Sequence, residues 1–139
     1  MSRYKKQQLP EHLEKYAEYI INLQGKDFIT FKGLLAMAHD QGLKGIETDI
    51  ISIDKDRTEE EKNGKTYITN ATGLTIFRAK VVGERGMYSA IGDASPRNVG
   101  KMIAPHLIRM AETRAIARAL RLYTGCGYTA IEELGDNDK

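Results

Sequence analysis

The chain has 139 residues, 41% of them hydrophobic and 29% charged, which is the balance of a globular domain able to bury a core without disulfides or metals. Its formal net charge of +2 is too small to prove a polyanionic partner, and the single cysteine, Cys126, excludes an internal disulfide. No apolar run approaches the roughly 18 residues that a membrane span needs. The opening Met1-Ser-Arg-Tyr-Lys-Lys leads into a charged helical pattern rather than the apolar core of a signal peptide, so the expected location is the cytoplasm.

Residues 1–10 read as a flexible lead ending at Pro10. From Glu11, apolar residues at Leu13, Tyr16, Ala17, Ile20 and Ile21 recur at helical spacing and predict a helix to about Leu23, stopped by Gly25. Phe28 and Ile29 form a short extended piece. Thr30 is placed to cap a second helix that buries Leu34, Leu35, Met37 and Ala38 and closes at Gly42. The period then changes to two. Ile46, Thr48, Ile50, Ile51 and Ile53 predict a strand over 45–54, and polar residues 55–65 end in Asn63-Gly64, a strong hairpin signal with Glu59, Glu60 and Glu61 at a solvated tip.

Residues 66–82 are rich in Ile, Thr, Val and aromatics and predict a long strand with a bulge or bend at Gly73. A turn at residues 83–86 leads to a third strand over 87–91. Ser95-Pro96 predicts the start of a short helix, and a long one follows from near Pro105 to Tyr123, ending at Gly125 and Gly127. The whole is one α+β domain. Its core is an antiparallel three-stranded sheet in β-β-β-α order covered by a long C-terminal helix, with helices at the N-terminal end.

The long helix carries the functional argument. On a wheel, Ile108, Ala115, Ile116, Ala119, Leu120, Leu122 and Tyr123 share one sector, while Arg114, Arg118 and Arg121 fall on the other as an outward row. Ala111, Ala115 and Ala119 predict a close approach to whatever the helix covers. Arginine suits phosphate, which it grips through two parallel hydrogen bonds. The ordinary alternative is a solvated face whose guanidinium groups pair with acids from elsewhere in the fold. Glu112 falls in the apolar sector, which points to a buried base or a neighbouring subunit as its partner.

Charge is unevenly spread. Residues 132–139 hold four acids and one base, a contribution of −3 that leaves +5 on the remaining 131 residues. This end reads as an acidic tail that competes for a basic site or recruits a protein partner, or as a plain solvated terminus. His12, His39 and His106 lack metal-ligand spacing, and Asp49, Asp54 and Asp56 lack the rest of a calcium loop. No phosphate loop or nucleophile motif is present. The expectation is a non-enzymatic protein with no cofactor and no metal.

Four segments resemble the Rad-fifty-two-type single-strand annealing family and its phage recombinase relatives. They are Phe28-Ile-Thr-Phe-Lys-Gly-Leu-Leu-Ala-Met-Ala-His, Gly64-Lys-Thr-Tyr-Ile-Thr-Asn-Ala-Thr, Ser89-Ala-Ile-Gly-Asp-Ala-Ser-Pro and Ala111-Glu-Thr-Arg-Ala-Ile-Ala-Arg-Ala-Leu-Arg-Leu-Tyr-Thr-Gly. The last is similar to the family's long helix, and two of its motif arginines match Arg118 and Arg121; the family's preceding lysine is Ala117 here.

The resemblance implies single-stranded DNA binding in recombination or repair with ATP-independent strand annealing. It also implies homo-oligomeric rings or filaments with the DNA backbone in an inter-subunit basic groove. Lys65, Arg78, Lys80 and Arg85 are further candidate DNA contacts, and Tyr67, Phe77 and Tyr88 are candidate stacking platforms, with core packing as their alternative role. Other functions consistent with the residues are protection of single strands without annealing, RNA binding, and a self-assembly or adaptor domain whose arginines meet acidic proteins.

Overall fold

The computed structural model describes residues 2–3, 9–100 and 106–135. Ser2–Arg3 (β1) pairs with Ile20–Leu23 (β2), so the described part of the expected free lead is joined to the body, and Leu9 is buried. Residues 4–8 of that lead lie outside the described residues.

The helix expected to run to Leu23 is shorter. Glu11–Tyr19 forms 3-10 helix kinked at Tyr16, and the chain turns extended at Ile20. Two adjacent β-branched residues and the Gln24-Gly25 turn account for the difference. Both turn residues have positive φ (52° and 82°), the geometry that matches strand twist in a two-residue hairpin. The hairpin joins β2 to Lys26–Ile29 (β3). At the kink, the Tyr16 hydroxyl donates to Asp40 Oδ2 at 2.6 Å. Burial and that carboxylate together push the phenol up to about 12.

Thr30 caps Phe31–Asp40 (α1) as expected, its hydroxyl accepting from the Gly33 N–H at 3.0 Å. Leu43–Lys62 (β4), Lys65–Gly83 (β5) and Gly86–Ala94 (β6) then form an antiparallel sheet in the order β4-β5-β6. β4 and β5 meet at Asn63-Gly64, again with two positive φ values (55° and 79°). The register shifts opposite Gly73 and Leu74, where a bulge was expected, and again beside Ile51 in β4. The polar stretch 55–62 is not a loop. It continues β4 and pairs from Lys55↔Thr72 to Lys62↔Lys65 as a two-stranded ribbon beyond the last β6 pair, Thr75↔Ala94.

Leu107–Thr124 (α2) packs on one face of this sheet and ends at Gly125 in the left-handed region. Buried Thr75, Phe77, Ala79 and Val81 of β5 face it. Ala111, Ala115 and Ala119 are fully buried, and a Cβ built on Gly92 would meet the Ala115 N and the Ala111 carbonyl. The expected close approach is thus a helix backbone lying on a glycine. Tyr123 closes the far end, its hydroxyl donating to the Gln41 carbonyl at 2.8 Å and accepting from the Arg85 N–H at 3.3 Å.

After α2, Thr129–Ala130 (β7) runs parallel to β3 and completes a second sheet in the order β1-β2-β3-β7. Ile131–Leu134 follows as a 3-10 turn. The short helix expected after Ser95 is absent over 96–100, where the chain makes turns. Side chains take the place of helix bonds there: the Asn98 Oδ1 accepts from the Ser95 N–H at 2.9 Å, and the Asn98 Nδ2 donates to Asp93 Oδ2 at 3.0 Å. Residues 101–105, with the expected start at Pro105, lie outside the described residues. Among the described residues no helix is long and apolar enough to cross a membrane.

Candidate nucleic-acid interface

The three arginines of α2 do not form a free outward row. Arg114 is 7% exposed. Its Nε donates to the Glu133 carbonyl (2.8 Å), Nη1 to the Asp93 carbonyl and Asn98 Oδ1 (both 2.8 Å), and Nη2 to the Asn98 carbonyl (2.9 Å). Burial lowers its pKa from the ordinary arginine value, and nearby Asp93 opposes that shift. Arg114 therefore stitches the end of β6, the 95–100 turns and the C-terminal segment to the helix.

Arg118 points along the same seam. Its Nη1 donates to the Ile91 carbonyl at 2.9 Å and lies 3.7 Å from Asp93 Oδ1, and its Nε lies 3.6 Å from Glu133 Oε1. Arg121 Nη2 contacts the same Glu133 oxygen at 2.8 Å. Arg114 and Arg118 thus satisfy main-chain carbonyls of β6, the strand at one edge of its sheet, a device that discourages further strand pairing there.

The wheel failed here for a specific reason. α2 is enclosed on more than one side, by the sheet, by α1 and by the C-terminal segment, so its exposed positions are Ile108, Arg109 and Leu122 instead. Ile108 and Leu122, placed by the wheel in the packed sector, are 44% and 55% exposed. Glu112 meets no buried base among the described residues; its Oε2 accepts from the Thr48 hydroxyl at 2.8 Å.

The acidic end is also not a tail throughout. Glu132 Oε1 accepts from the Phe31 N–H at 2.7 Å, at the open end of α1 where such a charge is favourable. The Glu133 side chain is 5% exposed, with Oε2 taking the Ala130 N–H at 2.9 Å and Oε1 facing Arg118 and Arg121. Residues 136–139 lie outside the described residues.

The other candidates are dispersed. Lys65 is exposed at the ribbon tip. Arg78 and Lys80 occupy the sheet face away from α2, beside Asp49 (3.8 Å) and Glu47 (3.7 Å) of β4. Arg85 sits in the β5–β6 turn and donates to Gln41 Oε1 at 3.0 Å. Of the aromatics, Phe77 is core at 5% exposure, and Tyr88 is half-buried with its ring edge-on to Tyr123 at 5.8 Å. Tyr67, half exposed on the ribbon, is open to a stacking partner.

The residues that sequence missed are Asp93 and Asn98, which no local pattern marks. Glu133, with Glu112 and Glu132, stands close enough in the chain to be a candidate counter-charge for the arginines, and it is the one of the three that reaches Arg118 and Arg121. A shallow cavity of about 300 Å³ at the start of α2 is lined by Thr72, His106, Leu107, Ile108, Arg109 and Glu112. Comparison of the chain with protein-family models gave no match, and comparison with well-characterised proteins gave none either.

Proposed function

We propose that this chain binds single-stranded DNA in recombination or repair and promotes ATP-independent annealing as a homo-oligomer, with Arg118 and Arg121 as its phosphate contacts. One observation carries the reading. Two guanidinium groups, one helical turn apart, converge on a single carboxylate oxygen, Glu133 Oε1, and Arg118 keeps 41% of its side chain in solvent. A pair of arginines that holds a carboxylate has the charge and donor geometry to hold a phosphate. The succession of β4, β5, β6 and α2 is also the arrangement that the resemblance to the annealing family implies. Arg114 has no part in this site, because its donors are directed at carbonyls inside the protomer.

The test is fluorescence anisotropy of labelled single-stranded DNA, duplex DNA and single-stranded RNA at two salt concentrations. Replacing Arg118 and Arg121 together by Ala should weaken single-strand binding by about tenfold or more and reduce the salt slope by about 1.4. Unchanged affinity would remove the assignment. Mixing complementary strands separates annealing, which speeds duplex formation, from protection, which slows it.

A self-assembly or adaptor domain is the second reading. It is favoured by the sheet face away from α2, where Met87 and Ile91 are 61% and 53% exposed between exposed charges. Under that reading the wild type ignores oligonucleotides from the start.

A further inference from the structure

We infer that Glu133 occupies the phosphate seat of Arg118 and Arg121 in the free protein, and that a nucleic-acid strand binds by displacing this side chain. The inference rests on the assignment of those two arginines to phosphate. It adds which internal group the strand must compete with and what stays in place when it does.

The geometry separates the fixed from the movable parts of the segment. The Glu133 backbone is held by Arg114, whose Nε takes its carbonyl at 2.8 Å, and the Gly135 carbonyl accepts from the Gly100 N–H at 2.9 Å. The neighbouring Glu132 is tied to the Phe31 N–H. The Glu133 carboxylate is held otherwise, by the Ala130 N–H, one short contact to Arg121 and one long contact to Arg118. Rotation of the side chain alone vacates the seat and leaves the backbone anchored.

The seat is also incompletely filled by a carboxylate. Arg121 Nε is buried with no hydrogen-bond partner, and the Arg118 contacts to Glu133 and Asp93, at 3.6 and 3.7 Å, are ion pairs longer than hydrogen bonds. Glu133 and Asp93 are the two carboxylates within salt-bridge distance of these arginines among the described residues. A phosphate presents more acceptor oxygens than one carboxylate and can engage the donors that Glu133 leaves idle. With Glu133 turned away, Arg118 and Arg121 keep one carboxylate, Asp93, and the local charge, already positive with Arg114 counted, becomes more positive by one unit.

The experiment uses the full chain and a fluorescein-labelled oligothymidylate at low ionic strength, with thermal melting of every variant. Glu133→Gln should bind about tenfold tighter than wild type, the scale of losing one charge-assisted competitor. The gain should vanish when Arg118→Ala and Arg121→Ala are added. In the wild type, the Ala130 amide should exchange its hydrogen faster once oligothymidylate is bound, because its acceptor has left. A Glu133 that only supports the fold leaves that amide protected and gives a variant that melts earlier without binding tighter.

If the wild type binds but Ala130 stays protected, or a folded Glu133→Gln binds no tighter, the displacement is wrong and the phosphate assignment survives. If Glu133→Gln does not fold, the wild-type amide decides. If neither protein binds oligothymidylate, the proposed function falls, and this inference falls with it.

Discussion

The two longest strands, β4 and β5, live in two different environments along their own length. Between residues 75 and 83, β5 has β6 on one side and α2 above it, and Thr75, Ala79 and Val81 are fully buried. Between residues 65 and 71 the same strand pairs with β4 alone among the described residues, and consecutive Tyr67 and Ile68 are 50% and 53% exposed. α2 has 18 residues, about 27 Å of helix, and the ribbon's eight residue pairs add about 26 Å of ladder beyond the sheet. The ladder is continuous across both regions, so backbone pairing alone does not make a core. A helix lying on a glycine and a buried arginine at the seam do that in one region, and nothing in the described chain replaces them in the other.

Substitutions can break this contrast. The largest effect is expected at Gly92, where a side chain meets the α2 backbone: Gly92→Val should cost about 3 kcal/mol or more, or prevent folding, read by chemical denaturation. Next comes Arg114→Met. It leaves the carbonyls of Asp93, Asn98 and Glu133 without their donor and should cost about 2–4 kcal/mol, whereas Arg118→Ala, on an exposed ion pair, should cost under about 1 kcal/mol. Equal losses for the two arginines would contradict the division between a structural and a solvent-facing guanidinium.

The smallest effect belongs to the ribbon. Excising residues 56–71 and joining Lys55 to Thr72 through Asn-Gly should change stability by about 1 kcal/mol or less, because a two-stranded ribbon adds little stability of its own. A drop in Tm of more than about 4 °C would show that the ribbon supports the packed half after all.

Local chemistry was readable from residues alone. The Thr30 cap, the Asn63-Gly64 hairpin, the bulge at Gly73, the left-handed stop at Gly125 and the three β strands before a long alanine-rich helix each depend on neighbours within a few positions. Ile20 and Ile21 misled because both also fit a helical stripe, and only the Gln24-Gly25 hairpin with β3 made them a strand. The fate of the arginines was not local. A helical wheel assumes one buried side, whereas α2 is enclosed also by β6 and by a segment that returns from residues 129–135.

The sequence by itself determined that three guanidinium groups would stand in register on one helix, since 3.6 residues per turn dictates that. Only the tertiary structure decided that Arg114 would face carbonyls and that Glu133 would reach Arg118 and Arg121. The physical reason is that hydrogen bonding and ion pairing act over a few ångströms in space, and chain separation, 12 residues between Arg121 and Glu133 and 27 between Arg118 and Ile91, carries no trace of that distance.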